Sequence, residues 1–358
     1  MEIASLGEFG LIEHLTKDLV CKNKSTVYGV GDDCAVLDYS AATATDGQAL
    51  TLVTSDMLME GIHFDLTYTD MRNLGYKAAM VNISDIFAMN GTPRQMVVSI
   101  ALGKRFTVED LEAFYDGLRI ACDKWNVDIV GGDTTSSLTG LAISITCIGE
   151  CRPGEAVYRN GAGETDLICV SGDLGAAYMG LQLLEREKTV YYQRIAEEKK
   201  RGKASPVEFS PDFAGKEYLL QRQLRPEARG DIIRALREIN IRPTAMIDIS
   251  DGLSSELHHI CKQSNCGCRI YEEKIPIDYQ TALMAEELEL NVTMCALNGG
   301  EDYELLFTVP VGDYAKIEQT TDVKLIGHIT EPASGCVLVA RDGAEFELKA
   351  QGWNPLKS

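Results

Sequence analysis

The sequence predicts a two-domain protein of the layered α/β class, and three observations carry that expectation. The chain has 358 residues, too many for one ordinary hydrophobic core. Short apolar runs of strand length alternate with segments whose apolar residues recur at helical spacing. The apolar runs also empty repeatedly into carboxylates and hydroxyls, where layered α/β proteins commonly keep ligand groups. Leu52-Val53-Thr54-Ser55-Asp56 is the clearest case, read as a strand ending in a loop. Asp56 alone could simply cap a turn. The recurrence of the pattern favours a ligand role.

Composition narrows the classes. Hydrophobic residues make up 45% of the chain, which suits globular cores. No apolar run approaches ~18 residues, so no membrane span is expected, and the N-terminus lacks the basic and apolar regions of a signal peptide. A net charge of −20 argues against nucleic acid or an anionic membrane as partner. The eleven cysteines are scattered through core-like segments. Only Cys266-Gly267-Cys268 is tightly spaced, and with no CxxC pair the spacing offers no zinc template. Reduced thiols in a cytoplasmic protein are the expected state.

In chain order, residues 9–19 read as a short amphipathic helix. Tyr28-Gly29-Val30-Gly31-Asp32-Asp33 is a glycine-rich turn with two acids, followed by a strand to Leu37; the third glycine of a dinucleotide loop is missing. A strand over 50–53 follows. Residues 73–89 form a helix, with Leu74, Ala78, Val81, Asp85 and Ala88 on one face. That spacing sets Asp85 inside an apolar stripe, where an unpartnered carboxylate costs several kcal/mol, so it is either ion-paired or metal-bound. A strand over 96–102 precedes a helix over 108–125, whose buried stripe is Leu111, Phe114, Leu118, Ala121 and Trp125. Residues 128–135 repeat the theme of apolar strand, close turn and Asp133 with hydroxyls, and 141–149 is a strand. Arg152-Pro153-Gly154 reads as a boundary, giving domains 1–151 and 152–358.

The second half opens with a pair of strands over 156–170, containing Arg159, and a glycine-rich stretch turning helical over 172–184. Residues 185–216 are charged and read as irregular, a solvated insertion near 187–216. Pro226 starts a helix to residue 240. Ala245-Met246-Ile247-Asp248 feeds a helix with the stripe Leu253, Leu257 and Ile260, capped by Ser250 or Asp251, whose first amides suit an anion. Residues 297–309 form a glycine turn, an acidic pair and a strong strand; strands over 327–330 and 335–340 lead to the tail.

P-loop, protein-kinase, HExxH and GxSxG signatures are all absent. What the chain holds is a set of acids at strand ends: Asp33, Asp56, Asp85, Asp133, Asp248 and Asp251. Carboxylates with hydroxyls select hard divalent cations, and acids converging on one cleft repel each other unless cations lie between them. The reading is a site with several Mg²⁺ ions for a polyphosphate such as ATP, working by positioning and charge neutralisation.

GEFGLI at 7–12, GVGDDCAVL at 29–37, TSDMLMEGIHF at 54–64, YKAAMVNISDIFAMN at 76–90, GGDTT at 131–135, DISDGL at 248–253 and GGEDYELLFTV at 299–309 stand in an order that resembles the thiamine-monophosphate kinase family. That family belongs to the superfamily of aminoimidazole ribonucleotide synthetase and selenide water dikinase. The resemblance implies two α/β domains, the first with a sheet that pairs with its copy in a homodimer. It implies Mg²⁺ ligation by Asp33, Thr54, Ser55, Asp56, Asp85, Asp133, Asp248 and Asp251, with Arg159, Asp85 and Asp251 in catalytic roles. ATP would be held by Tyr115, Gly132, Asp133, Arg159 and Ser250, and thiamine monophosphate by His63, Glu301 and Trp353. The tail departs from the family pattern after Trp353, at Asn354-Pro355. Taken singly, His63 could be a surface histidine, Arg159 a surface ion pair and Trp353 a core cover. The implied reaction is in-line transfer of the ATP γ-phosphoryl group to the acceptor's phosphate in thiamine diphosphate biosynthesis. Rival readings are another ATP-dependent member of the superfamily, acting on selenide or formylglycinamidine ribonucleotide, or a non-catalytic nucleotide or divalent-cation binder.

Overall fold

The computed structural model describes residues 26–28, 31–38, 49–201, 209–211 and 213–351. The expected helix over 9–19 and Trp353 lie outside them. Two sheets organise the chain. The first contains β1 (Thr26–Tyr28), β2 (Ala35–Leu37), β3 (Leu50–Met59), β4 (Thr92–Leu102), β5 (Asp128–Ser136) and β6 (Ala142–Cys151), in the order β1-β2-β3-β6-β4-β5. Helices α1 (Met71–Ala88) and α2 (Val108–Trp125) cross each other beside it. Their approach depends on glycine. A Cβ on Gly75 would lie 1.9 Å from the Phe114 carbonyl oxygen, and one on Gly117 would lie 1.8 Å from that of Arg72.

The second sheet is built from β7 (Leu167–Ser171), β8 (Ala245–Asp248), β9 (Gly267–Tyr271), β10 (Leu305–Val309), β11 (Val323–Thr330), β12 (Cys336–Val339) and β13 (Glu345–Glu347), in the order β13-β12-β9-β11-β7-β10-β8. Its pairings are antiparallel except that of β12 with β9. The helices that follow α2 are α3 (Ala176–Lys200), α4 (Glu217–Leu224), α5 (Gly230–Glu238), α6 (Leu253–Ser264), α7 (Tyr279–Glu287), α8 (Val292–Asn298) and α9 (Tyr314–Glu318).

Helix α1 lies between the two sheets. One core cluster runs from Leu52 and Ile145 through Met80 and Ile86 to Met246 and Phe307. Fourteen of the eighteen α1 residues are buried, so the helix has no solvated face to contrast with an apolar one. From Leu74 to Ala88 only Asp85 keeps intermediate exposure.

Several sequence expectations change here. Thr54, Ser55 and Asp56 do not mark a strand end: β3 continues through them, because β6 pairs with it residue for residue from Leu50 to Met59. The Gly131-Gly132-Asp133 segment is likewise continuous strand, held by β4 through Val97, Val98 and Ser99. The expected strand pair over 156–170 reduces to β7. The charged stretch after residue 185 is not irregular but carries α3 to Lys200, laced by Lys188–Glu185 and Arg201–Glu198 contacts three residues apart. The helix expected from Pro226 begins at Gly230. Neither Ser250 nor Asp251 caps α6; Gly252, at φ 112°, does so without a side-chain hydrogen bond.

Candidate active site

A cleft of about 840 Å³ opens where β3, α1 and the C-terminal end of β8 meet. The three elements reach it for separate reasons. Strand β3 places alternate residues on opposite faces of the sheet. Helix α1 delivers Asp85, the one residue of its buried run that keeps intermediate exposure. Strand β8 ends at Asp248, paired with Leu305 of β10, and the chain then turns through Ser250 and Asp251 into α6.

At the bottom of the cleft, one carboxylate oxygen each from Asp33, Asp85 and Asp248 lie within 4.8 Å of one another. Thr54 Oγ1 donates to Asp85, and Ser84 Oγ donates to Asp248 Oδ2 at 2.6 Å. Burial and the neighbouring acids push Asp85 well above the usual carboxylate range. Asp248 is pushed up to about 8, by burial first and Asp33 next. Asp32 is raised to about 7 for the same two reasons. Such an all-oxygen cluster, reluctant to ionise by itself, fits a hard divalent cation, which would relieve the repulsion.

Arg159 closes one side. It is no surface pair: its guanidinium grips Asp33 in two-pronged fashion, Nη2 to Oδ1 at 2.7 Å and Nε to Oδ2 at 3.3 Å, while its backbone N–H donates to Asp32 Oδ2. Ser55, Asp56, Ser250 and Asp251 line the same cleft. The Asp56 backbone N–H is received by buried Asn82 Oδ1 at 3.1 Å. On the far wall, His63 Nδ1 accepts from Met59 N–H at 3.0 Å, and burial lowers the ring's pKa. Glu301 is held between Lys77 Nζ, at 2.8 Å, and Gln223 Nε2, at 2.7 Å. Its backbone is left-handed, φ 57°, as is that of Tyr303, φ 51°. Non-glycine residues held in this region are strained, and such strain concentrates at functional sites.

The structure therefore gathers Asp33, Thr54, Ser55, Asp56, His63, Asp85, Arg159, Asp248, Ser250, Asp251 and Glu301 around one cavity. It does not bring Tyr115, Gly132 and Asp133 there. Gly132 and Asp133 are exposed on β5, three strands from β3, which at ~4.8 Å per strand is about 14 Å away. Tyr115 packs edge-on against Phe114 on α2. Sequence reasoning missed Asp32, Lys77, Asn82, Ser84 and Gln223. Four of the five lie inside quoted motifs, so the signal was present but unassigned.

These features can be set beside known proteins. Residues 31–151 match the family described as AIR synthase related protein, N-terminal domain, and residues 207–344 match its C-terminal domain. The thiamine-monophosphate kinase of Bacillus subtilis (strain 168) is 32% identical over 98% of this chain and 100% of its own. That of Aquifex aeolicus (strain VF5) is 33% identical, with 99% of both chains covered. The chain belongs to the thiamine-monophosphate kinase family. A solved member of this phosphotransferase family, AaThiL complexed with AMPPCP and TMP, superposes with a TM-score of 0.78 at 32% identity over 99% of both chains. The crystal structure of the Aquifex aeolicus kinase superposes at 0.72 with 31% identity, covering 97% of this chain and 100% of that one. Both AIR synthase related domains and the mixed α/β architecture expected for the family are present in this kinase relative.

Proposed function

We propose that this chain transfers the γ-phosphoryl group of ATP directly to thiamine monophosphate, giving thiamine diphosphate and ADP, with Mg²⁺ bound. The observation that carries the reading is the trio Asp33, Asp85 and Asp248 within 4.8 Å in an open cleft, with Asp33 gripped by the half-buried Arg159. Asp33, Asp85 and Asp248 would hold Mg²⁺, with Thr54, Ser55, Asp56 and Asp251 on the same wall. Bound there, the metal neutralises polyphosphate charge. The amides at the start of α6, uncapped by any side chain, suit a phosphate group beside Ser250. Arg159, oriented by Asp33 and Asp32, offsets charge on the transferring group. The acceptor is a phosphate monoester whose second pKa is near ~6, so its oxygen is already ionised at neutral pH and needs no general base. The neutral His63 ring, its Nδ1 occupied by Met59, turns Nε2–H into a donor for the acceptor. Glu301 supplies a carboxylate for its cationic ring.

A homodimer belongs to the same reading, as does division into domains at residues 151/152. Strand β5 is an open edge, exposed along almost its whole length, and Val130 and Met57 put apolar surface on this sheet. Natural sheets cover such edges. The roles of Tyr115, Gly132 and Asp133 stand only if a second copy brings that edge to a cleft. Sedimentation should give twice the 39.2 kDa chain mass. The cytoplasm fits ten cysteines that are all free among the described residues.

The deciding assay is ADP release with thiamine monophosphate, free thiamine, selenide or formylglycinamidine ribonucleotide as acceptor. Turnover is expected with the first alone. Turnover with any of the others and none with thiamine monophosphate overturns the substrate. ATP and Mg²⁺ binding without acceptor-dependent ADP release points to a non-catalytic binder.

A further inference from the structure

The sequence offers no familiar zinc spacing, yet the fold assembles thiols. Sγ atoms of Cys261, Cys268 and Cys336 all lie within 4.8 Å of one another, with no disulfide among them. They arrive on three elements: Cys261 in the last turns of α6, Cys268 near the start of β9, and Cys336 as the first residue of β12. Cys336 and Cys268 are register partners in the one parallel pairing of the sheet. A fourth thiol, Cys266, sits in the short turn between α6 and β9, between Cys261 and Cys268 in the chain. The knuckle is tightly made. Cys266 N–H donates to the Cys261 carbonyl at 3.0 Å, and Cys268 N–H donates to the Gly335 carbonyl at 2.9 Å. A Cβ on Gly267 would come within 2.5 Å of that same Gly335 oxygen, so only glycine lets the two loops meet.

We propose that Cys261, Cys266, Cys268 and Cys336 form a structural zinc site, separate from the phosphoryl-transfer cleft. Zinc–thiolate bonds of ~2.3 Å set tetrahedral sulfurs ~3.8 Å apart, within the spacing observed for the three gathered thiols. Cys266 is only partly buried and completes the set by turning its side chain. Soft thiolates select zinc over magnesium or calcium, and a four-sulfur set leaves no open coordination position, as in structural sites. None of the four cysteines lines the cleft. Binding exchanges thiol protons for the metal, with the protons released to solvent and no change of oxidation state.

A histidine supports the site from outside. His258, one turn before Cys261 on α6, donates Nε2–H to the Leu348 carbonyl at 2.8 Å. Leu348 N–H in turn donates to the Cys336 carbonyl at 2.8 Å. Outer partners of this kind orient metal ligands. The site thus ties β12, and the strand segment that returns past it, to the helix whose first turn borders Ser250 and Asp251.

The test uses the full-length chain, purified in reducing buffer without chelator, with metals measured by plasma mass spectrometry. About one zinc per chain is expected, released stoichiometrically when a mercurial blocks the thiols. Cobalt replacement should give an intense thiolate-to-metal charge-transfer band with tetrahedral d–d absorption. Cys336→Ser and Cys266→Ser should each lower zinc content at least about fivefold, whereas Cys295→Ser, at a thiol elsewhere in the fold, should retain it. Should Cys336→Ser fail to fold, Cys266→Ser and the wild-type cobalt spectrum still decide. The proposal is overturned if anaerobically reduced protein takes up neither zinc nor cobalt, or if the four cysteines are disulfide-linked as isolated. Iron with acid-labile sulfide in place of zinc also overturns it. Retention of zinc by Cys266→Ser with loss in His258→Ala overturns the four-cysteine ligand set.

Discussion

Replacing Asp85 by Asn tests the centre of the cleft. With Asp33, Asp85 and Asp248 oxygens within 4.8 Å, each pair of charges at that limit would repel by about 3.5 kcal/mol at an effective dielectric constant of ~20. Without metal the protein relieves this by keeping protons, as the raised Asp85 and Asp248 carboxyls indicate. A protonated aspartate and an asparagine are close in shape, and the amide oxygen can still accept from Thr54 Oγ1. Asp85→Asn should therefore leave metal-free stability equal or slightly higher, within about 1 kcal/mol. Wild type at a Mg²⁺ concentration one hundred times Kd should gain about 2.7 kcal/mol. For a chain of 358 residues melting as one unit that is a rise in Tm of roughly 3–4 °C. The variant should lose that rise, and its turnover should fall by at least ~10²-fold. Calorimetry with and without Mg²⁺, beside ADP release, measures both. A large loss of metal-free stability with activity retained would refute the reasoning and make Asp85 a structural partner.

Three further perturbations follow from distances given above. Arg159→Lys keeps a charge but cannot reproduce the two-pronged grip on Asp33; turnover should drop ~10²-fold in steady-state assays, with the melting temperature little changed. His63 has its pKa lowered by burial. Its stabilisation is therefore complete above the unfolded value of ~6.5 and is lost as pH falls below it, because the unfolded chain takes up a proton the folded ring resists. His63→Asn keeps an acceptor for Met59 N–H without titrating, so its melting temperature should fall less than that of wild type between pH 6.5 and 5; parallel profiles would count against the assignment. Gly75→Ala places a methyl 1.9 Å from the Phe114 oxygen, and denaturant melts should show a loss of about 3 kcal/mol as α1 and α2 are forced apart.

The acids of the cleft were legible because an apolar run that ends in aspartate, or an aspartate within a buried helical stripe, has few inexpensive explanations. Asp56, Asp85 and Asp248 meet that description, and Asp33 stood out instead as one of two acids in a glycine-rich turn before a strand. Thr54-Ser55-Asp56 looked like a loop because polar residues in sequence suggest a strand end. The ladder to β6, a partner some ninety residues on, keeps them in strand geometry instead. Lys77, Ser84 and Gln223 could not be assigned for a related reason: their partners, Glu301 and Asp248, lie in distant segments brought near only by tertiary packing. The thiol cluster escaped because its spacing follows the geometry of a helix-to-strand turn plus a parallel neighbour, not a pair of CxxC knuckles. Long α3 was misread since exposed charged residues look the same in a solvated helix and in a loop.

The burial of α1 on every side limits how this molecule can move. A hinge that swung the two sheets apart would have to strip Met80, Ile83 and Ile86 from one wall or the other and break the Ser84–Asp248 and Lys77–Glu301 links. Opening and global unfolding would then share much of the same cost, and the chain should melt as one cooperative unit instead of two. Traffic into the cleft falls to its lining segments, among them Gly61, Ile62 and His63 and, from the second half of the chain, Asn298, Gly299 and Gly300. Nucleotide and acceptor would therefore have to reach the acids past these segments with the two sheets held in place.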